Sequence, residues 1–260
     1  MFRWKTYSLP RLKLSEPPAG SGRTYFISDL HLTDQRPDIN GRFFRFIEEQ
    51  ASGADALYIL GDLFEYWVGD DNTTSPIASK TASRLRVLTQ AGTPVYFMHG
   101  NRDFLLASKY AAQSGMSLLP DPTLISLYGI PTLLMHGDTL CTDDRDYQSF
   151  RTKLRRPWVQ ALLLALPLTM RQRLAGLARA GSESAKQNKP EEIMDVNQTE
   201  VARVLQAHGY PRLIHGHTHR PARHVHQVKG HSCERWVLPD WYETGGYIDC
   251  DQQNCRLVIL

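Results

Sequence analysis

Long apolar runs are scarce in this chain. No stretch of its 260 residues approaches the ~20 consecutive apolar positions that a bilayer-spanning helix needs, so a membrane-spanning protein is not expected. An excess of one charge is missing too. With 30 Lys and Arg against 27 Asp and Glu the formal charge is only +3, which offers no broad basic face to a nucleic acid. Cysteine is sparse: Cys141, Cys233, Cys250 and Cys255 make no CxxC pair and lack the density of a disulfide-stapled secreted domain, which favours a reducing cytosol. Residues 1–22 carry Arg3, Lys5, Arg11 and Lys13 but no apolar signal-peptide core, so export is not expected. There is no internal repeat. The length suits one α/β domain, with or without an inserted cap.

The segment Glu16-Pro17-Pro18-Ala19-Gly20-Ser21-Gly22 cannot bury much surface, and residues 1–22 read as a flexible extension ahead of a domain at 23–260. Phe2, Trp4 and Tyr7 are interleaved there with cations, a pattern that would also suit an anionic membrane surface. Further on, β-favouring runs at 25–28, 56–60 and 95–98 alternate with helical spacing at 41–51 and 77–90. The order is β-α-β-α-β, with Gly92-Thr93-Pro94 closing the second helix. Runs at 132–135 and 213–215 read as strands, and those at 235–238, 247–249 and 256–260 as a meander completing a second sheet.

Residues 147–194 read as a helical insertion of different character. Trp158, Val159, Leu162, Leu163, Leu164, Leu166, Leu168, Met170, Leu174 and Leu177 suggest a pair of short apolar helices broken at Pro167. Arg151, Lys153, Arg155, Arg156, Arg171, Arg173 and Arg179 flank them. Such an insertion suits a lid that receives acyl chains beside an anionic bilayer; its composition fits equally a helical hairpin packed on the core.

Five short segments follow strand-like runs: Asp29-Leu30-His31, Gly61-Asp62, Gly100-Asn101-Arg102-Asp103, His136-Gly137-Asp138 and Gly216-His217-Thr218-His219. Ligands collect beyond the carboxyl ends of strands in open α/β sheets, so these segments are expected to converge. Two divalent ions a few ångströms apart need about seven or eight hard or borderline donors, one carboxylate being shared between them. The five segments supply that number. Each alone is a weak signal, since a lone strand-end histidine is more often a satisfied structural residue; the ordered set is far more specific. The mixture of carboxylate, amide and imidazole favours Mn²⁺, Zn²⁺ or Fe²⁺ over an all-oxygen Mg²⁺ site, and two Mn²⁺ ions are expected first.

The pattern D-x-H, GD, GN-[HR]-[DE], H and GHxH, running from Asp29 to His219, resembles that of the calcineurin-like metallophosphoesterases. The resemblance implies an α/β sandwich of two mixed β-sheets flanked by helices, with a helical lid inserted. It implies one ion held by Asp29, His31, Asp62 and His219, and the other by Asp62, Asn101, His136 and His217. Asp62 would bridge them.

Longer strings are similar to one branch of that family. They are residues 27–32, 61–65, 99–104, 136–144, 193–197 and 215–221, and the branch splits the pyrophosphate of UDP-2,3-diacylglucosamine in lipid A biosynthesis. This narrower resemblance implies attack of a metal-bridging hydroxide on the α-phosphorus, giving UMP and 2,3-diacylglucosamine 1-phosphate (lipid X). Asp62, Asn101 and Arg102 would carry the catalysis. Substrate contacts would be Asn101, Arg102, Asp144, Ser182, Lys189 and His217, with Lys186 standing where relatives can carry asparagine. The enzyme would work on the cytoplasmic side of the inner membrane as a peripheral protein, without nucleic acid or an obligate protein partner.

Arg102 stands where many family members place a histidine. A guanidinium cannot serve as an acid at neutral pH, but it can clamp phosphate oxygens; its plainer role would be an ion pair with Asp103. Asp103 and Asp138 are expected to hold ligands in place from behind. Two other readings compete with the lipid nucleotide: a soluble nucleotide or phosphoprotein substrate at the same metal site, and a scaffold that keeps the fold without catalysis.

Overall fold

The computed structural model describes residues 22–188, 193–242 and 245–260. Strands β1 (Thr24–Ile27), β2 (Ala56–Ile59), β3 (Val95–Met98) and β4 (Ser117–Leu119) alternate with α1 (Pro37–Phe46), α2 (Pro76–Gln90) and α3 (Ser108–Ser114). A hairpin of β5 (Thr123–Leu127) and β6 (Ile130–Met135) comes next, then helices α4 (Arg145–Leu154), α5 (Pro157–Ala165), α6 (Leu168–Asn188) and α7 (Gln198–Ala207). The chain closes with β7 (Arg212–His215), β8 (Ala222–Val228), β9 (His231–Val237), β10 (Gly246–Cys250) and β11 (Cys255–Ile259).

Six strands pair in the order β11-β10-β1-β2-β3-β4, and five in the order β5-β6-β7-β9-β8. β1 to β4 run parallel, as do β6, β7 and β9, so the carboxyl ends of β1, β2 and β3 lie along one edge of the first sheet. Strand side chains alternate between faces, and this sorts the core. Tyr25, Ile27, Leu57, Ile59, Val95 and Phe97 pack under α1 and α2. The alternate residues Phe26, Tyr58 and Met98 turn the other way and meet Leu134, Ile214 and Trp236 of the second sheet. Leu133, Met135 and Leu213 face outward onto Val201, Val204 and Leu205 of α7. The layers are helix, sheet, sheet, helix.

Two expectations are corrected. The tail does not complete the second sheet as a meander: β9 joins it, whereas β10 and β11 return to the first sheet, β10 pairing antiparallel with β1. A two-residue pattern fixes which face a strand buries and not which sheet it enters. The apolar run from Trp158 onward does form two helices, α5 and α6, broken at Pro167 as expected, but α6 is not short: it is 21 residues long, and α4 precedes the pair in the insertion.

α4 and α5 bury no residue. Arginines tie the insertion down instead: Arg171 bonds Asp71 and the Val68 carbonyl, and Arg151 Nε bonds Asp138 Oδ2 at 2.5 Å. Cys250 and Cys255 lie directly opposite one another on β10 and β11 and are joined in a disulfide, their Cα atoms 4.0 Å apart. Spacing alone does not announce that pair; the antiparallel register does.

Candidate metal centre

Where the strands end, the backbone takes a form that side-chain-bearing residues seldom adopt. Asp29, His31, Asp62, His217 and His219 all have left-handed φ, between 51° and 68°. Such residues cluster where a structure holds them against their own preference, most often at working sites. Here the loops brace one another: Asp29 N donates to the Gly61 carbonyl and His31 N to the Asp62 carbonyl, each at 3.0 Å, and Gly216 N to the His136 carbonyl at 2.8 Å. The approach is close enough to demand glycine. A β-carbon at Gly100 would collide with the Asp62 carboxylate, and one at Gly216 with Ser28 Oγ and Asp29 Oδ2.

The two carboxylates each use one oxygen for anchorage and turn the other to the centre. Asp29 Oδ2 accepts from Ser28 Oγ (2.5 Å) and His217 N (2.8 Å), while Oδ1 lies 3.4 Å from His219 Nε2. Asp62 Oδ1 accepts from Arg102 N (2.8 Å), while Oδ2 stands between His31 Nε2 at 3.9 Å and His136 Nε2 at 4.0 Å. His136 donates Nδ1–H to the Leu60 carbonyl (2.8 Å), which turns Nε2 inward, 3.1 Å from Asn101 Oδ1. Two acceptors aimed at one point need a cation or a proton between them.

Ligand atoms of Asp29, His31 and His219 lie within 4.8 Å of one another, as do those of Asp29, Asp62 and His136. Asp29 is common to both groups, whereas Asp62, the carboxylate expected to be shared, belongs to the second only, although its Oδ2 stands between His31 and His136. His217 joins through its ring, 5.0 Å from that of His136.

The buried acids and imidazoles of the centre shift one another strongly. Burial, with Asp103 and Asp29 nearby, pushes the Asp62 carboxyl up to about 7. Burial works against a charged His136, yet Asp62, Asp138 and Asp29 outweigh it and lift the imidazole to about 9. Burial likewise opposes an ionised Asp29, but His219, His136 and His31 hold it below the usual carboxylate range. Burial and His136 press His217 down to about 3. Divalent ions would relieve this crowding of acids, and the carboxylate, amide and imidazole donors fit such ions.

The outer supports are partly those expected. Asp103, fully buried, accepts from Leu63 N (2.7 Å) and Gly100 N (2.8 Å), so it locks two metal-side loops together and makes no ion pair with Arg102. Asp138 accepts from Tyr147 Oη (2.9 Å) and Arg151, which fastens α4 to the centre, and Arg155 Nη2 donates to the Gly100 carbonyl at 2.7 Å. Two carboxylates had no assigned part: Glu65 Oε2 lies 3.7 Å from His31 Nδ1, and Asp240 Oδ2 3.6 Å from His219 Nδ1. Glu65 sits three residues past Asp62 and was within reach of sequence reasoning. Asp240 was not, because no spacing links it to His219.

Asp144 caps α4, its Oδ1 accepting from Tyr147 N at 3.1 Å. Ser182 and Lys186 fall on α6, but their side chains, like Lys189 altogether, lie outside the described residues. No described helix is long and apolar enough to cross a membrane.

Residues 22–221 match the family model described as calcineurin-like phosphoesterase. Three curated relatives are each described as UDP-2,3-diacylglucosamine hydrolase. The protein of Aromatoleum aromaticum is 52% identical over 226 residues, covering 87% of this chain and 92% of its own. That of Stenotrophomonas maltophilia is 52% identical over 244 residues, covering 91% and 98%. That of Escherichia coli is 48% identical over 235 residues, covering 90% and 98%.

Proposed function

This chain belongs to the calcineurin-like phosphoesterase family, and from that premise we propose that it hydrolyses UDP-2,3-diacylglucosamine at the α-phosphorus, releasing UMP and lipid X. One observation carries the reading beyond a generic phosphoesterase: the donor cluster lies beside an insertion that exposes Trp158, Leu162, Leu164, Met170, Leu174 and Leu177. A soluble substrate gives no use for so much bare apolar surface, whereas diacyl chains do.

One ion would rest on Asp29, His31, Asp62 and His219, the other on Asp62, Asn101, His136 and His217, and Mn²⁺ is the metal this donor set favours. Two bound ions supply Lewis-acid polarisation of the phosphate and an acidified water for in-line attack. The chain does the rest. Leu60 fixes the His136 tautomer, while Glu65 and Asp240 stand behind His31 and His219. Arg102, which forms no side-chain hydrogen bond or ion pair among the described residues, has its guanidinium fork available for the phosphate oxygens that gain charge. The departing sugar phosphate is a good leaving group, so an arginine can stand where a proton donor would otherwise be wanted. Asp144, Ser182, Lys186, Lys189 and His217 would contact the remainder of the substrate. With its apolar insertion toward the bilayer, the protein would act as a peripheral enzyme of the inner membrane's cytoplasmic face.

Purified protein with Mn²⁺ is expected to release UMP from UDP-2,3-diacylglucosamine in detergent micelles. If it leaves that substrate intact while cleaving bis-nucleotides or nucleoside diphosphates well, the assignment fails and a soluble substrate takes its place.

A further inference from the structure

A second polar cluster lies away from the metal centre, on the α7 face of the five-stranded sheet. Register makes it: His224 on β8 sits opposite Arg235 on β9, and Ala222 opposite Val237, so all four share one face. Arg235 is only 3% exposed. Its Nε donates to His226 Nε2 and its Nη1 to His215 Nε2, each at 3.1 Å, and no carboxylate pairs with it among the described residues.

A buried cation with no carboxylate paired directly to it is costly, and an anion bound beside it would offset that cost. Arg235 lines a cavity of about 250 Å³ together with Thr218, Arg220, His224 and Asp195. Asp195 is near enough for its charge to favour that of Arg235 but forms no ion pair with it, since its Oδ1 accepts from Val196 N (2.7 Å) and its Oδ2 pairs with Arg220 (3.1 Å). Thr218 Oγ1 is shut off from solvent and has no hydrogen-bond partner. The guanidinium N–H groups left over from those two bonds, a hydroxyl and an imidazole around one hollow match the oxygens of a tetrahedral oxyanion.

We propose that this cavity is an oxyanion site, separate from the metal centre, which binds inorganic phosphate or the phosphate of a nucleoside monophosphate. Thr218 lies between His217 and His219, so an occupant would touch the very loop that carries two centre histidines.

The test is equilibrium dialysis of the Mn²⁺-loaded protein against labelled inorganic phosphate. Wild type is expected to take up one phosphate per chain more than His224→Glu, whose carboxylate would occupy the place opposite Arg235, and one more than Arg235→Met. Without phosphate, His224→Glu is expected to melt about 2–4 °C above wild type, because the tethered carboxylate supplies the counterion. Equal uptake by wild type and His224→Glu overturns the proposal, as does a melting temperature that stays level or falls. Should Arg235→Met fail to fold, the His224→Glu pair of measurements decides alone. Displacement of the extra phosphate by UMP would identify a nucleotide as the source, and persistence against UMP would identify free phosphate.

Discussion

Asp62 has one oxygen fixed by the Arg102 amide and the other poised between two imidazoles, so an amide in its place keeps the shape and removes the charge. Asp62→Asn is therefore expected to lower the hydrolysis rate by about 10²–10³-fold or more, measured as UMP release at saturating Mn²⁺. Arg102→Ala should lower kcat by about 10²-fold with a smaller change in KM, the mark of a contact that strengthens as charge develops. A different residue tests charge rather than catalysis. Both oxygens of Asp121 are buried without hydrogen-bond partners, and burial plus the neighbouring Asp138 pushes its carboxyl up to about 6. The folded state then keeps a proton that the unfolded chain has lost, so this group makes stability fall as pH rises from about 4 to about 6. Asp121→Asn should raise the melting temperature at pH 8, by up to about 3 kcal/mol of stability, and change it little at pH 4. The inner residues of the centre were legible in the sequence because five weak motifs occur in one order after five strands. Asp240 was not legible, since it reaches His219 only through folding of a loop.

Among the elements, the insertion invites the plainest experiment. Leu163 and Leu164 lie on α5, which buries none of its side chains, so replacing both with serine should leave the fold intact. The double variant is expected to lose on the order of tenfold or more in turnover of the diacylated substrate, and little on a small phosphodiester such as bis-p-nitrophenyl phosphate. Equal losses on both would show that α5 matters only for structure. β1, β2, β3, β6 and β7, with α1 and α2, were readable from apolar runs and helical spacing, and Gly92-Thr93-Pro94 did end α2 near the place expected. β4, β5 and β8 were not, for physical reasons: β4 has three residues, β5 buries only alternate ones, and β8 is largely polar and half-exposed. The destination of β10 was hidden as well, because pairing with β1 depends on a partner far away in the chain.

For the molecule as a whole, the centre joins two sheets: Asp29, His31, Asp62 and Asn101 follow strands of the first, and His136, His217 and His219 strands of the second. Ions bound there would fasten the sheets as well as catalyse. Chelation is expected to abolish activity and to lower the melting temperature by several degrees, both restored by Mn²⁺, since a ligand held only by the folded state adds about 3–4 kcal/mol at a hundred- to thousandfold its dissociation constant.

The pairing of β1 with β10 also has a bearing on biosynthesis. A ribosome delivers Thr24–Ile27 long before Gly246–Cys250, so in the interval between them the nascent sheet has an unsatisfied edge at β1. An edge of that kind is open to pairing with the wrong chain until its own partner emerges. Chaperone demand in the cell should therefore concentrate in the interval before β10 is released.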